Sequence, residues 1–182
     1  MKSGKLVRRF YARDKRKVIL RTPRWEDLDD FLQLINSLVE ERAEILRTES
    51  VPREEEIDFL SRVLSHLEKN EVFYLVAEAD GRAVGVSEIS PRTGYEAHLG
   101  VIGIAIRNGF RDLGIGTEMM KTMIRQAEKM ELKALTLTTF ANNKRAIHVY
   151  EKVGFVQTGR VPKNFFKDGK YIDGIVMTKL LE

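Results

Sequence analysis

The stretch that decides the fold is Ile104-Ala-Ile-Arg-Asn-Gly-Phe-Arg-Asp-Leu-Gly-Ile-Gly-Thr117, where an apolar strand pattern over residues 101–106 runs into a turn and then a helix. Gly114 and Gly116 lack a Cβ, so the backbone can turn tightly and a ligand can approach its amides. The helix that follows presents unpaired N–H groups and a positive dipole end. Strand, glycine turn and helix N-terminus together predict an anion site, best suited to phosphate or pyrophosphate.

The residues around these glycines narrow the kind of phosphate site. No Gly-Lys-Ser/Thr follows them, so the loop is not a Walker loop. The first glycine of a dinucleotide-binding fingerprint is missing, and the motif lies far from the N-terminus. Arg111-x-x-Gly114-x-Gly116 after an apolar strand resembles instead the acetyl-CoA pyrophosphate loop of the GNAT superfamily of N-acetyltransferases. Arg111 adds a fixed positive charge.

A second motif supports this resemblance. Asn142-Asn-Lys-Arg-Ala-Ile-His-Val-Tyr-Glu-Lys-Val-Gly-Phe155 is similar to the family's second signature, Asn-x-x-Ala-x-x-x-Tyr-x-x-x-Gly-Phe. Five residues fill that signature in register: Asn143, Ala146, Tyr150, Gly154 and Phe155. The resemblance covers the chain from about Val18 to Leu181 and is specific from about Leu99 to Phe155.

Hydrophobic periodicity predicts a mixed chain of helices and strands. Helical spacing predicts helices over residues 25–35, 53–69, 116–130 and 143–153, the last capped by Asn142. Strands are expected over residues 73–79, 83–89, 98–106, 134–140, 155–160 and 171–180, with turns at residues 80–81 and 168–169. With the resemblance, this order implies an α/β (α+β, GNAT-like) fold. We expect a central mixed, mostly antiparallel twisted sheet of about seven strands, flanked by about four helices.

The composition suits one soluble enzyme domain. A chain of 182 residues can bury a sizeable core. The absence of cysteine excludes disulfides, thiolate metal sites and cysteine nucleophiles, and three scattered histidines do not suggest a metal site. No apolar run approaches membrane-spanning length, and the N-terminus has no apolar signal core. We therefore expect a cytoplasmic protein with no membrane partner and no metal.

Basic residues crowd the N-terminus, although the net charge of +4 is mild. Asp14 is the one acidic residue in this segment, and its basic residues are Lys2, Lys5, Arg8, Arg9, Arg13, Lys15, Arg16 and Lys17. One interpretation is an arm that faces nucleic acid or the ribosome. The favoured one is an edge hairpin of residues 6–12 and 18–20, because basic residues on a sheet edge discourage aggregation. We accordingly assign residues 1–16 to a basic N-terminal extension or edge hairpin and residues 17–182 to a single N-acetyltransferase domain, without a nucleic-acid partner.

The resemblance implies acetyl-CoA as the co-substrate and a set of residues that bind it. In the family the fourth strand splays from the fifth, and its free backbone groups bind the pantetheine arm. Here those groups would belong to Ile104, Ala105 and Ile106. The pyrophosphate would lie on the backbone of Arg111, Asp112, Leu113, Gly114, Ile115, Gly116 and Thr117. Asn143 would bond the coenzyme arm, with a helix cap as the alternative role.

Tyr150 is the general acid that the resemblance implies, and it would also contact the coenzyme. A phenol with a reference pKa of about 10 stays protonated near neutral pH and can donate a proton to the leaving thiolate. Packing of the ring in the core is the alternative.

The general base is less well defined. Many relatives carry a glutamate just before the glycine that is Gly103 here, and this chain lacks it. The remaining candidates are Glu88, Glu96 and His98. An α-amine, with a reference pKa near 8, is partly neutral already and needs no base.

The predicted function is acetyl transfer from acetyl-CoA directly to a primary amine within a ternary complex. The tail from Gly159 to Met177 resembles the branch that acetylates protein N-termini, including those of ribosomal proteins, polyamines and other small amines. The alternative is a non-catalytic acyl-CoA-binding regulatory module, which would have no use for an acid at Tyr150. A homodimer is also predicted, through apolar residues of the long C-terminal strand: Ile172, Ile175, Val176, Met177 and Leu180.

Overall fold

A single sheet runs through the chain. The computed structural model describes residues 2–182. Its strands are β1 (Leu6–Tyr11), β2 (Lys17–Arg21), β3 (Phe73–Ala79), β4 (Arg82–Pro91), β5 (Leu99–Ile106), β6 (Ala134–Phe140), β7 (Val156–Lys167) and β8 (Lys170–Leu180). They form one eight-stranded sheet in the order β1-β2-β3-β4-β5-β6-β8-β7, antiparallel except between β5 and β6. The N-terminal hairpin brings the strand number to eight, where about seven were predicted.

Four α-helices within residues 2–182 cover the two faces of the sheet. They are α1 (Leu28–Glu40), α2 (Arg53–Glu68), α3 (Ile115–Lys129) and α4 (Lys144–Lys152). α1 and α2 pack on one face, where Leu60 shares a cluster with Val76 and Ala83. α3 and α4 pack on the other face in a larger core that contains Met119 and Tyr150. The mixed, mostly antiparallel sheet with four helices confirms the predicted fold class.

Alternation of side chains along β3 lets both faces be covered. Phe73, Leu75 and Ala77 belong to the larger core, whereas Val76 between them belongs to the smaller one. All four are almost completely buried. Because burial of a large apolar side chain contributes about 1.5–3 kcal/mol, these layers hold the sheet firmly from both sides.

The C-terminal hairpin differs from the prediction in two respects. β7 was expected to end at Arg160 but continues to Lys167, through Pro162 and a register shift, because an edge strand tolerates a proline. β8 lies between β6 and β7, so it is not an open edge of the sheet. Ile175 and Met177 are buried in the core, whereas Ile172 and Val176 are half-buried and Leu180 is exposed, so a dimer through this strand stays a prediction that rests on those three residues. The outer edge belongs to β7.

The basic N-terminal residues form the opposite edge of the same sheet. β1 pairs with β2, and β2 pairs with β3. Ala12 is buried in the larger core, and Phe10 packs against it. Within residues 2–182, no helix is long and apolar enough to cross a membrane.

Candidate active site

β5 and β6 separate part-way along their length. They are paired only over Leu99–Val101, opposite residues 134–136. β5 nevertheless continues to Ile106, where its other edge still pairs with β4 opposite Gly85. The edge of β5 that faces β6 therefore has no partner strand over residues 102–106, which opens a gap in the sheet.

The three β5 residues predicted to bind the coenzyme arm lie along this gap. Ile104 and Ile106 pack their side chains against the larger core, and Ala105 between them is half-buried. Core packing by the side chains is therefore compatible with ligand binding by the backbone edge. One backbone group there is already occupied, because the Ile106 carbonyl accepts a hydrogen bond from Arg111 Nε at 2.8 Å.

The anion loop, residues 107–114, joins β5 to α3 and contains most of the predicted anion site. Its backbone has a positive φ at Gly109 (83°), Asp112 (60°) and Gly114 (85°), and Gly114 is the N-cap of α3. In the described part of the chain, no acceptor is found for the backbone N–H groups of residues 111–117. A run of unpaired donors at the start of a helix is well suited to bind phosphate oxygens.

The two glycines of the loop have different roles. Gly114 has a φ of +85°, and a Cβ there would meet nothing within 4 Å, so the backbone conformation requires glycine. A Cβ on Gly116 would lie 3.1 Å from Ile106 Cδ1 and 3.9 Å from Val149 Cγ1. Gly116 thus lets α3 begin directly against β5 and α4, which brings the loop, the free strand edge and α4 together.

Arg111 fixes the loop in place. Its Nε bonds to the Ile106 carbonyl, and its Nη2 forms an ion pair with Glu41 at the end of α1. On the exposed side, Asp112 Oδ1 lies 3.2 Å from Arg145 Nε of α4. Since Glu41 offsets the charge of Arg111, attraction of an anion rests mainly on the backbone amides and the helix dipole.

The end of α4 positions Tyr150. Gly154 has a φ of 92°, and the Phe155 N–H returns to the Tyr150 carbonyl at 3.0 Å, an arrangement typical of helix C-termini. Phe155 is buried, and its ring centroid lies 6.1 Å from that of Tyr150. The glycine and phenylalanine of the second signature therefore end the helix and support the tyrosine ring.

The Tyr150 hydroxyl has the properties required of a proton donor. The residue is 7% exposed, and burial raises the pKa of its hydroxyl to about 12. Within residues 2–182 the hydroxyl has no hydrogen-bond partner, yet it is not among the fully enclosed unpaired atoms. It therefore opens onto accessible space in its protonated form.

Asn143 is the N-cap of α4. Its Oδ1 accepts a hydrogen bond from the Ala146 N–H at 3.1 Å. The predicted cap at Asn142 is wrong by one residue, because the helix begins at Lys144. The Asn143 Nδ2 group keeps both of its hydrogens for a ligand.

Glu88 lies beside the gap. It is opposite Gly103 in the β4–β5 ladder and opposite Tyr74 in the β3–β4 ladder. Burial, and then the hydrogen bond to Glu88, raise the pKa of the Tyr74 hydroxyl, which keeps it protonated as the donor. A Cβ on Gly103 would lie 3.9 Å from Glu88 Cγ, so the missing side chain leaves Glu88 open towards β5. The sequence analysis did not single out Tyr74.

His98 is not brought together with these residues. It is exposed and precedes β5, at the end where β5 and β6 are still paired. Three residues of strand, roughly 10 Å, separate it from Val101, where the gap begins. Its carbonyl instead accepts the Lys133 N–H at 2.8 Å. Glu96 is also exposed and pairs with Arg92. Among residues 2–182, no cluster of histidines and carboxylates is arranged to hold a metal ion.

A second concave feature lies between the α1–α2 loop and the β7–β8 turn. Lys167 Nζ donates to the Arg42 carbonyl at 2.5 Å, and Arg42 pairs with Asp168 at 2.9 Å. A cavity of about 410 Å³ adjoins these contacts. Its lining includes Glu44, Asn142 and Tyr171, so it reaches the residue that precedes the α4 cap.

Comparisons with known proteins agree with this geometry. The chain matches the Acetyltransferase (GNAT) family over residues 31–155. It is 31% identical over 111 residues to L-amino acid N-acetyltransferase AaaT of Escherichia coli (strain K12), a match that covers 58% of this chain and 67% of that protein. The structure is similar to the ribosomal-protein-S5-alanine acetyltransferase from Vibrio fischeri, with a TM-score of 0.83 and 18% identity over 97% of this chain and 98% of that one.

A further solved structure contains the expected co-substrate. It is a GNAT superfamily phosphinothricin acetyltransferase from Sinorhizobium meliloti in complex with AcCoA, with a TM-score of 0.79 and 18% identity. The likeness covers 90% of this chain and 88% of that one, and it shows a shared fold. The family match spans the gap, the anion loop and the second signature through Phe155. The chain therefore belongs to the acetyltransferase (GNAT) family and is an enzyme of the N-acetyltransferase class.

Proposed function

We propose that this enzyme transfers the acetyl group of acetyl-CoA directly to a primary amine within a ternary complex. The observation that carries the proposal is the gap between β5 and β6, which ends at Val101 and leaves residues 102–106 without a partner strand. The unpaired edge runs directly into the loop of unpaired N–H groups. A coenzyme arm bonded along the edge would deliver its pyrophosphate to that loop.

The residues assigned to the coenzyme follow from this path. Backbone groups of Ile104, Ala105 and Ile106 would bond the pantetheine amides, in the manner of an added strand. The amides of residues 111–117 would hold the pyrophosphate. Asn143 would donate from Nδ2 to the arm while its Oδ1 caps α4. The thioester would then lie near Val101 and Gly103, at the closed end of the gap.

The chemistry assigns one residue to each proton. The neutral amine attacks the thioester carbonyl, a C–N bond forms, and the C–S bond breaks from the tetrahedral intermediate. Glu88 takes the proton that the nitrogen loses, and Tyr150 gives its proton to the departing thiolate, so the coenzyme leaves as a thiol. Glu88 lies on the α1–α2 face and Tyr150 in the core of the α3–α4 face. The two groups flank β5 from opposite sides, as an attacking amine and a leaving thiolate require.

Among primary amines, we favour an α-amine. The Escherichia coli protein is named for an L-amino acid and the Vibrio fischeri protein for a ribosomal-protein alanine, and both of these acceptors carry an α-amine. An α-amine is also easier to deprotonate than a lysine or polyamine nitrogen, with reference pKa values near 8 and 10.

A thiol-release assay with acetyl-CoA tests this function. Peptides with free N-termini, L-amino acids, polyamines and lysine peptides with blocked N-termini serve as acceptors. We expect turnover with α-amines, and mass spectrometry of the product should place the acetyl group on the α-nitrogen. Acetyl-CoA binding without turnover on any acceptor would instead support the alternative of a non-catalytic acyl-CoA-binding module.

A further inference from the structure

The turn between β1 and β2 contacts the anion loop directly, although about a hundred residues separate them in sequence. The Arg13 backbone N–H donates to the Leu113 carbonyl at 3.0 Å, and Arg13 Nη1 donates to the Asp112 carbonyl at 3.2 Å. Arg16 Nη2 donates to the Gly109 carbonyl at 3.2 Å. Three carbonyls of the loop are thus held by two residues of the basic N-terminal turn.

Arg16 also holds the loop through an aromatic ring. Its guanidinium carbon lies 4.4 Å from the centroid of the Phe110 ring, which is a cation–π contact. Two hydrogen bonds from Arg16 to Asp14, through its backbone N–H and its Nε, orient the guanidinium. The turn is anchored beneath by Ala12, which is buried in the larger core.

These contacts determine the direction in which the N–H groups of the loop point, and so the side of the loop that a phosphate would meet. In a planar trans peptide, the carbonyl of one residue and the N–H of the next point in opposite directions. Holding the Asp112 carbonyl towards the turn directs the Leu113 N–H away from it. Holding the Leu113 carbonyl likewise directs the Gly114 N–H away. Both N–H groups are among those without an acceptor in the described residues.

We infer that Arg13 and Arg16 are positioning residues for the coenzyme site: the β1–β2 turn holds the 109–114 loop in the shape that presents its amides to a pyrophosphate. This inference rests on the proposed function for the identity of the ligand. It gives the basic N-terminal segment a role inside the enzyme. The positive charge of the turn is directed to backbone carbonyls, so geometry, more than long-range attraction, is what the turn contributes.

The test compares two double variants of the full-length enzyme. R13A/R16A removes the side-chain contacts to the loop. K5A/R9A removes the same number of charges from exposed positions at or beside β1. Calorimetry gives the Kd for acetyl-CoA, and steady-state kinetics gives kcat and both KM values. Hydrogen exchange of the apo protein gives the protection of two bonded N–H groups: that of residue 13, which donates to the Leu113 carbonyl, and that of Phe110, which donates to the Arg107 carbonyl.

We expect R13A/R16A to weaken acetyl-CoA binding by about tenfold, the order of two lost charge-assisted hydrogen bonds in partly exposed positions. The KM for acetyl-CoA should rise while kcat and the KM for the amine stay within about twofold. Exchange should become faster at the N–H groups of residues 13 and 110 and stay unchanged in the buried part of α3. K5A/R9A should behave as the wild type.

Three results would overturn the inference. Equal weakening in both double variants would assign the effect to charge alone. Wild-type affinity and exchange in R13A/R16A would show that the loop holds its own shape. A uniform loss of protection across the sheet would assign the two arginines to general stability. If the wild type itself fails to bind acetyl-CoA, the proposed function fails, whereas the exchange comparison still decides whether the turn orders the loop.

Discussion

Gly116 lies so close to Ile106 that a Cβ on the glycine would be 3.1 Å from the isoleucine Cδ1. Contacts this short force the neighbouring side chain to shift, and Ile106 is held at the end of β5. The closeness matters because Ile106 ends the unpaired strand edge and Gly116 lies in the first turn of α3. The spacing between the strand edge and the anion loop, along which the proposed coenzyme site extends, therefore depends on the absence of a side chain at Gly116.

Replacing Gly114 with valine should weaken acetyl-CoA binding more than tenfold. The residue has a φ of +85°, which a β-branched residue adopts only with strain of about 1–2 kcal/mol or more, so the loop must change shape. Calorimetric titration with acetyl-CoA measures the effect.

Gly94→Val is a matched control for that substitution. Gly94 also has a positive φ, 63°, and equally open surroundings, but it lies between β4 and β5, at the end of β5 opposite the loop. Both variants should lose similar thermal stability, and only Gly114→Val should lose affinity. Unchanged affinity in a folded Gly114→Val protein would remove the loop from the coenzyme site.

Tyr150→Phe should lower kcat by about ten- to ten-thousandfold while the Kd for acetyl-CoA stays nearly constant. The substitution keeps the ring against Phe155 and removes the proton donor alone. Tyr95→Phe, at a fully exposed tyrosine, makes the same chemical change away from the site. Near-normal turnover on a substrate whose chemical step limits the rate would reduce Tyr150 to a packing residue.

Much of the fold could be predicted because its signals are local. Helical periodicity, the Asp80-Gly81 turn and the glycine loop each depend on neighbouring residues, and the structure has all three. The length of β7 could not be predicted in this way. Pro162 argues against a strand unless the strand is known to lie at the edge, and position in a sheet is a property of the whole chain.

The site was predictable only in part, for a related reason. A regular ladder continued from the Ala79↔Arg82 pair would place Ser87 opposite Tyr74. A bulge in β4 shifts the register by one residue and brings Glu88 to that position. Likewise, no local pattern connects Arg13 with Asp112. The basic character of the N-terminal turn was visible in the sequence, but the loop that it contacts was not.

The raised pKa of Tyr150 predicts a loss of stability at high pH. Burial raises the pKa of the Tyr150 hydroxyl to about 12 in the folded protein, against about 10 in the unfolded chain. The contribution of the protonated hydroxyl to the free energy of unfolding is therefore fully present below pH 10. Between pH 10 and 12 the unfolded state loses its proton first, and this contribution declines by at most about 1.4 kcal/mol per pH unit.

Urea unfolding of the wild type and of Tyr150→Phe from pH 8 to pH 11.5 measures that contribution. The difference between their unfolding free energies should be constant up to about pH 9.5. At higher pH the free energy of unfolding of the wild type should fall relative to that of Tyr150→Phe. Titration of all other groups is common to both proteins and cancels. A constant difference over the whole range would mean that the hydroxyl is not buried as described.

Glu88→Gln should lower kcat/KM for an α-amine substrate by about a hundredfold at pH 7, within the usual range for a general base. The deficit should shrink towards pH 9, because an amine with a pKa near 8 then supplies its own neutral form. Tyr74→Phe, which removes the donor to Glu88, should produce a smaller loss with the same pH trend. His98→Gln should leave the rate unchanged, since His98 is exposed and lies before the paired part of β5, roughly 10 Å of strand from the start of the gap. A pH-independent loss in Glu88→Gln would make the carboxylate a binding group for the ammonium, and a loss confined to His98→Gln would move the base to that histidine.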